Sequence, residues 1–200
     1  HIHNVRIGTR ALVHDPFAYV DCIPTTYSRK IFVVLHIVRP EEVSSALREV
    51  VIAYQNHAFF VQIPLLRGIN NDPQVMSDLW HKCSLNGLSP YYVFQCRPAI
   101  GNERFALTLR EGHEVFSGAQ ACTTGVVKTP RYVMSNRTGK WEILGLDHDE
   151  IVLRCHQGTH PEMVGAIRHA SPHAVWWDLR HDDPLIDATP MHRRTISGEE

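Results

Sequence analysis

Apolar residues fall into two rhythms along the first hundred positions. Ile31 to Leu35, Phe59 to Ile63 and Tyr91 to Gln95 are short runs rich in β-branched and aromatic residues, and continuous apolar runs of this length predict strands buried on both faces. Between the first two, Val43, Ala46, Leu47, Val50 and Val51 recur at three- and four-residue spacing behind Pro40, Glu41 and Glu42. That pattern predicts a helix opening at Pro40, with carboxylates on its positive end. Pro64 closes the second run, and Asp72-Pro73 opens a further predicted helix carrying Val75, Met76, Leu79 and Trp80. The Asn70-Asn71-Asp72 step is expected to cap that helix, because short polar side chains satisfy its free backbone N–H groups. The strand starts at 31, 59 and 91 lie 28 and 32 residues apart, which suits βα units with right-handed crossovers in a parallel sheet. Val5-Arg6-Ile7 reads as an earlier strand of that sheet, with Gly8, Thr9 and Arg10 at its carboxyl end. Such folds keep their chemistry at that end.

After about residue 100 the period breaks. Arg131 to Ser135, then Trp141 to Leu146 and Glu150 to Arg154 around Asp147-His148-Asp149, predict a strand and a hairpin in an antiparallel appendage. Pro161 to Ala170 is read as one helix, and the last ten residues as a frayed tail. Three regions are therefore expected: βα units over 1–110, a strand and hairpin region over 111–156, and a partly disordered extension over 157–200.

Composition narrows the function classes. With 20 Lys+Arg against 21 Asp+Glu and 44% hydrophobic residues, the chain can bury a core, and no basic surplus points to nucleic acid. The apolar stretches fall far short of the roughly 20 residues that span a bilayer, so no membrane partner is expected. At 200 residues the chain is short for a complete α/β barrel, which needs about 250. His1 stands where a Met would and no signal peptide is visible, so the sequence reads as a fragment. Its five cysteines are scattered without a CxxC spacing, which fits reduced thiols and a cytoplasmic location. The 14 histidines, His156 and His160 among them, show no recognised ligand spacing and read as structural or surface residues. No metal site is predicted. A His-rich metal-binding or structural protein rests on that count alone.

Four blocks then carry a resemblance. His3-Asn-Val-Arg-Ile-Gly-Thr-Arg10; His36 before Arg39-Pro-Glu-Glu42; Gln62-Ile-Pro-Leu-Leu-Arg-Gly-Ile-Asn70 with Asp72; and Pro90-Tyr-Tyr-Val-Phe-Gln-Cys96 together resemble the C-terminal half of the lysine 2,3-aminomutase family. The likeness extends through Gly101, Phe105, Gly112 and Ser117-Gly118 to Tyr132-Val-Met-Ser-Asn-Arg-Thr-Gly-Lys140, covering roughly residues 3 to 156. It implies an α/β fold, the C-terminal part of a partial (βα) TIM-like barrel of the radical S-adenosylmethionine (SAM) type, with a small antiparallel β appendage. It also implies three cofactors: pyridoxal phosphate (PLP), SAM and a 4Fe–4S cluster. The CxxxCxxC cluster ligands would lie outside this chain. The implied activity is an isomerase that moves an amino group between adjacent carbons of a small-molecule amino acid. The fragment alone is expected to be inactive, and a homo-oligomer is left open.

Residue by residue, Lys140 aligns with the lysine that holds PLP as a Schiff base, although the family's longer glycine run is reduced to Gly139. Such a lysine must be unprotonated to attack a carbonyl, which favours a partly desolvated site. A solvated hairpin lysine is the competing reading. His36 and Gln62, at or near the carboxyl ends of predicted strands, align with residues close to SAM and PLP; as bare residues they are polar groups at a barrel mouth. Arg10 and Arg67 could each hold a carboxylate or phosphate, and loop anchoring suits them equally. Where lysine aminomutases carry two acidic residues that read the substrate ammonium, this chain has Arg97 and Ser135. That reversal of charge argues against lysine as substrate and for a carboxylate-bearing amino acid. It also keeps a second reading alive: a PLP- or SAM-binding relative that has lost radical chemistry.

Overall fold

The computed structural model describes residues 5–23 and 29–178. The frayed tail expected over the last ten residues lies outside the described residues, as does the rest of 179–200 in the extension expected from 157 onward.

Five strands run parallel: β1 (Val5–Thr9), β2 (Ile31–His36), β3 (Ala58–Leu65), β4 (Ser89–Gln95) and β5 (Arg131–Asn136). Three antiparallel strands follow: β6 (Gly139–Asp147), β7 (Glu150–Gly158) and β8 (Ile167–Ala170). All eight form one sheet in sequential order, open at β1 and β8. The fold is thus α/β with a partial barrel and an antiparallel appendage. Two short helices, α1 (Ala11–His14) and α2 (Ala18–Cys22), follow β1, and the later parallel crossovers carry α3 (Ser45–Ala53), α4 (Pro73–Leu85) and α5 (Leu109–Cys122).

Strand alternation sorts the side chains. Val33, Leu35, Val61, Ile63 and Leu65 have no exposed surface and form the core with Leu47, Met76, Leu79 and Trp80 of the helices. The opposite face presents Arg6, Phe32, Val34, Phe60 and Tyr91 around a hollow of about 290 Å³. This hollow lies on the concave side of the partial barrel.

Several local expectations are corrected. Pro40–Glu42 is a separate 3₁₀ turn, and α3 starts only after Ser44, whose hydroxyl accepts from Leu47 N at 3.1 Å. Asp72 caps α4 by accepting from Gln74 N and Val75 N. Asn70 does something else: fully buried, it accepts from Leu66 N and donates to the carbonyls of Val38 and Pro64, tying the β2 and β3 loops together. Arg131–Asn136 is not part of the antiparallel appendage but a fifth parallel strand, reached through α5, which the sequence pattern does not announce. Pro161 to Ala170 is not a helix. Pro161–Met163 makes one 3₁₀ turn, Gly165 takes a positive φ of 91°, and Ile167–Ala170 pairs with β7 as an edge strand.

Two arginines anchor loops. Arg10 pairs with Glu42 at 2.6 Å and donates to the His36 carbonyl. Arg67 donates to the Ala106 carbonyl and pairs with Glu111 at 2.6 Å. Glu111 also closes a capping box with Thr108 at the start of α5, and Arg67 before all else, then the Thr108 backbone, holds its carboxyl down at about 2.

Candidate functional site

The β5–β6 turn brings Ser135 and Lys140 directly opposite one another in antiparallel register, with Gln157 of β7 on the other side of Lys140. Gly139 makes the turn possible. Its φ is 137°, and a Cβ there would lie 2.0 Å from the backbone oxygen of Gln157, so only glycine lets β6 approach β7 this closely. Ser135, Asn136, Gly139, Lys140, Gln157, Gly158 and Thr159 line a cleft of about 420 Å³, within the range of small-molecule sites. Because β5 ends here, the cleft opens at the carboxyl edge of the parallel strands, where a barrel of this kind keeps its chemistry.

Lys140 is half-buried rather than a solvated hairpin residue. Its Nζ lies 4.0 Å from the centroid of the Tyr92 ring and 5.6 Å from that of Phe94. Burial, and after it the positive charge of Arg6, holds the amine below the usual lysine range. A desolvated amine with aromatic neighbours and a cleft before it can act as a nucleophile toward a carbonyl.

The other site residues expected from the sequence sit elsewhere on the same edge. His36 ends β2 exposed, in register with half-buried Gln62 of β3, so these two form a pair of their own; neither lines the Lys140 cleft. Arg97 is exposed in the loop after β4, and its carbonyl accepts from Asn102 Nδ2 at 2.7 Å. The structure thus joins Ser135 with Lys140 and His36 with Gln62, and places Arg97 in neither pair. Among the described residues no group of three or more His, Cys, Asp or Glu is gathered so as to hold a metal ion, and no helix is long and apolar enough to cross a membrane.

Sequence reasoning misses a polar network on the concave face beside Lys140. Tyr92 Oη lies 2.8 Å from His156 Nε2, and His156 Nδ1 lies 3.0 Å from Arg131 Nη1. Glu142, its side chain 14% exposed, accepts from Arg154 at 2.6 Å and faces Arg131 at 3.5 Å. The only signal in the sequence is alternation: Arg131, Glu142 and Arg154 occupy the same face of successive strands.

No family model matches the chain. An L-lysine 2,3-aminomutase-like protein of Aquifex aeolicus is 33% identical over 191 residues, which is 89% of this chain and 51% of that protein. Glutamate 2,3-aminomutase of Clostridioides difficile is 29% identical over 143 residues, 70% of this chain and 34% of that enzyme. The chain therefore spans about half the length of the first relative and about a third of the second. Among solved structures, a radical SAM methyltransferase from Sphaerobacter thermophilus overlies 66% of this chain and 40% of its own, with a TM-score of 0.49 at 11% identity. Over most of its length the chain is a homologue of the L-lysine 2,3-aminomutases.

Proposed function

We propose that the chain is part of an isomerase that moves an amino group between adjacent carbons of an amino acid, with Lys140 as the residue that takes PLP. The observation that carries this is the half-buried Lys140 amine over the Tyr92 and Phe94 rings, facing a cleft of about 420 Å³ in a chain homologous to aminomutases.

The residues present fit that coenzyme. Lys140 offers an amine biased toward its neutral form, Gly139 leaves the backbone free of a side chain, and Ser135, Asn136 and Thr159 bring hydroxyl and amide groups to the same cleft. When bound, PLP would carry the substrate nitrogen, and SAM on a reduced 4Fe–4S cluster would supply the radical that starts the migration. The cluster ligands are assigned to sequence outside this chain. Lys140 would hold the coenzyme, the aromatic rings beneath its amine exclude water, and His36 with Gln62 would offer polar groups to the cofactors at the mouth of the barrel.

Arg97 and Ser135 bear on the substrate. A lysine ammonium brought near Arg97 meets a like charge, whereas a second carboxylate meets a donor fork. An acidic amino acid is therefore favoured, and one of the relatives is named for glutamate. In the full-length enzyme reconstituted with iron, sulfide, PLP and SAM, kcat/KM for glutamate is expected to exceed that for lysine by about tenfold or more, which corresponds to ~1.4 kcal/mol. Arg97→Asp should narrow the ratio. A clear preference for lysine would remove the charge argument.

A further inference from the structure

The hydrogen bonds on the concave face have a direction. An arginine guanidinium donates and cannot accept, so the 3.0 Å contact from Arg131 makes His156 Nδ1 the acceptor. The imidazole is then neutral with its hydrogen on Nε2, which donates to Tyr92 Oη at 2.8 Å. A charged imidazole would set N–H against N–H, and burial first and Arg131 second indeed hold His156 below the usual histidine range. Glu142 keeps Arg131 in place between itself and His156. Tyr92 is 1% exposed, with its ring edge-on to His156 at 5.8 Å and to Phe94 at 5.6 Å. What this chain of contacts fixes is the ring face on which Lys140 Nζ rests.

We propose that Tyr92, His156 and Arg131 are positioning residues for the Lys140 amine: Arg131 orients His156, His156 holds the Tyr92 hydroxyl, and the Tyr92 ring seats Nζ toward the cleft of Ser135 and Gly139. The inference rests on Lys140 being the reacting amine. The groups that act on Lys140 are Arg6 from β1, Tyr92 and Phe94 from β4, and His156 from β7; Arg131, Glu142 and Arg154 act on His156, and Tyr91 on Tyr92. Burial and Arg6 favour the neutral amine, and the electron-rich ring face opposes them by favouring the ammonium. Displacing the ring while keeping it in the site leaves the burial in place and weakens only its contact with the ammonium, so it moves the amine downward; deleting the ring would also admit water, which acts upward.

The test is competitive acetylation of the intact protein with acetic anhydride across pH, before any PLP is added, with the Lys140 peptide quantified by mass spectrometry. Tyr92→Phe, which keeps the ring and loses its partner, should lower the apparent pKa of Lys140 by about 0.5. His156→Leu, which leaves the ring but frees its hydroxyl, should lower it by a similar amount. His156→Gln should keep the wild-type profile, because the amide oxygen accepts from Arg131 and its N–H donates to Tyr92. The proposal is overturned if Lys140 is unmoved or raised in either Tyr92→Phe or His156→Leu, or if His156→Gln behaves as His156→Leu does. Because no coenzyme is present, this outcome is independent of whether PLP binds Lys140: labelling shifts without coenzyme trapping would retain the seat and remove the coenzyme reading.

Discussion

Gly139→Ala is expected to melt about 6–12 °C below the wild type. The added Cβ would lie 2.0 Å from the Gln157 carbonyl oxygen, in a residue whose φ is already 137°. A backbone atom cannot rotate out of the way, so relief requires β6 and β7 to part at their ladder. Strain of this kind costs about 3 kcal/mol, and in a chain of 200 residues each kcal/mol moves the midpoint by about 2–4 °C. The same displacement carries Lys140 away from Gln157, another residue of the cleft wall, so the cleft is lost with the stability. Thermal unfolding followed by circular dichroism checks it. A midpoint indistinguishable from the wild type would mean that the turn does not need glycine.

Gly112→Ala is expected to destabilise by about 2 kcal/mol although alanine is the better helix former. Helix propensity favours alanine by about 1 kcal/mol. Against this, the new Cβ would lie 1.9 Å from Tyr132 Oη and 3.0 Å from Gln95 Oε1. Tyr132 is buried, stacked on Phe116 at 5.5 Å, and donates to Gln95, whose amide nitrogen holds the carbonyls of Leu107 and Val175. Overpacking costs about 1–3 kcal/mol, with a further 1–3 kcal/mol for buried partners left unpaired, so the collision wins. Urea unfolding should show a lower midpoint at unchanged slope. In a Tyr132→Phe background the penalty should shrink, because the atom first struck is gone. An undiminished penalty there would place the clash elsewhere.

These two glycines show where the sequence was legible. The runs at 31–35, 59–63 and 91–95 could be read because parallel strands covered on the core side by helices leave few polar interruptions. The helix α5 could not, because its core positions Leu109, Val115, Phe116 and Ala119 are interrupted by Gly112, which serves close packing on Tyr132 rather than helix formation. Residues 161–170 kept a helix-like spacing, and what made part of them a strand was pairing with β7, a tertiary contact. Lys140 was reached through resemblance, since one lysine after one glycine carries no spacing signal of its own. The bond from Tyr92 to His156 joins positions 64 residues apart, and no local pattern connects them.

The most direct test of Lys140 as the coenzyme residue uses the full-length protein, reconstituted anaerobically with iron, sulfide and PLP and then reduced with borohydride. If Lys140 holds PLP, the wild type shows a PLP absorbance band that borohydride removes, with the pyridoxyl mass recovered on the Lys140 peptide. Both are lost in Lys140→Ala while the cluster absorbance stays. Equal trapping in Lys140→Ala, or a cluster-bearing wild type that takes up no PLP, would contradict the assignment.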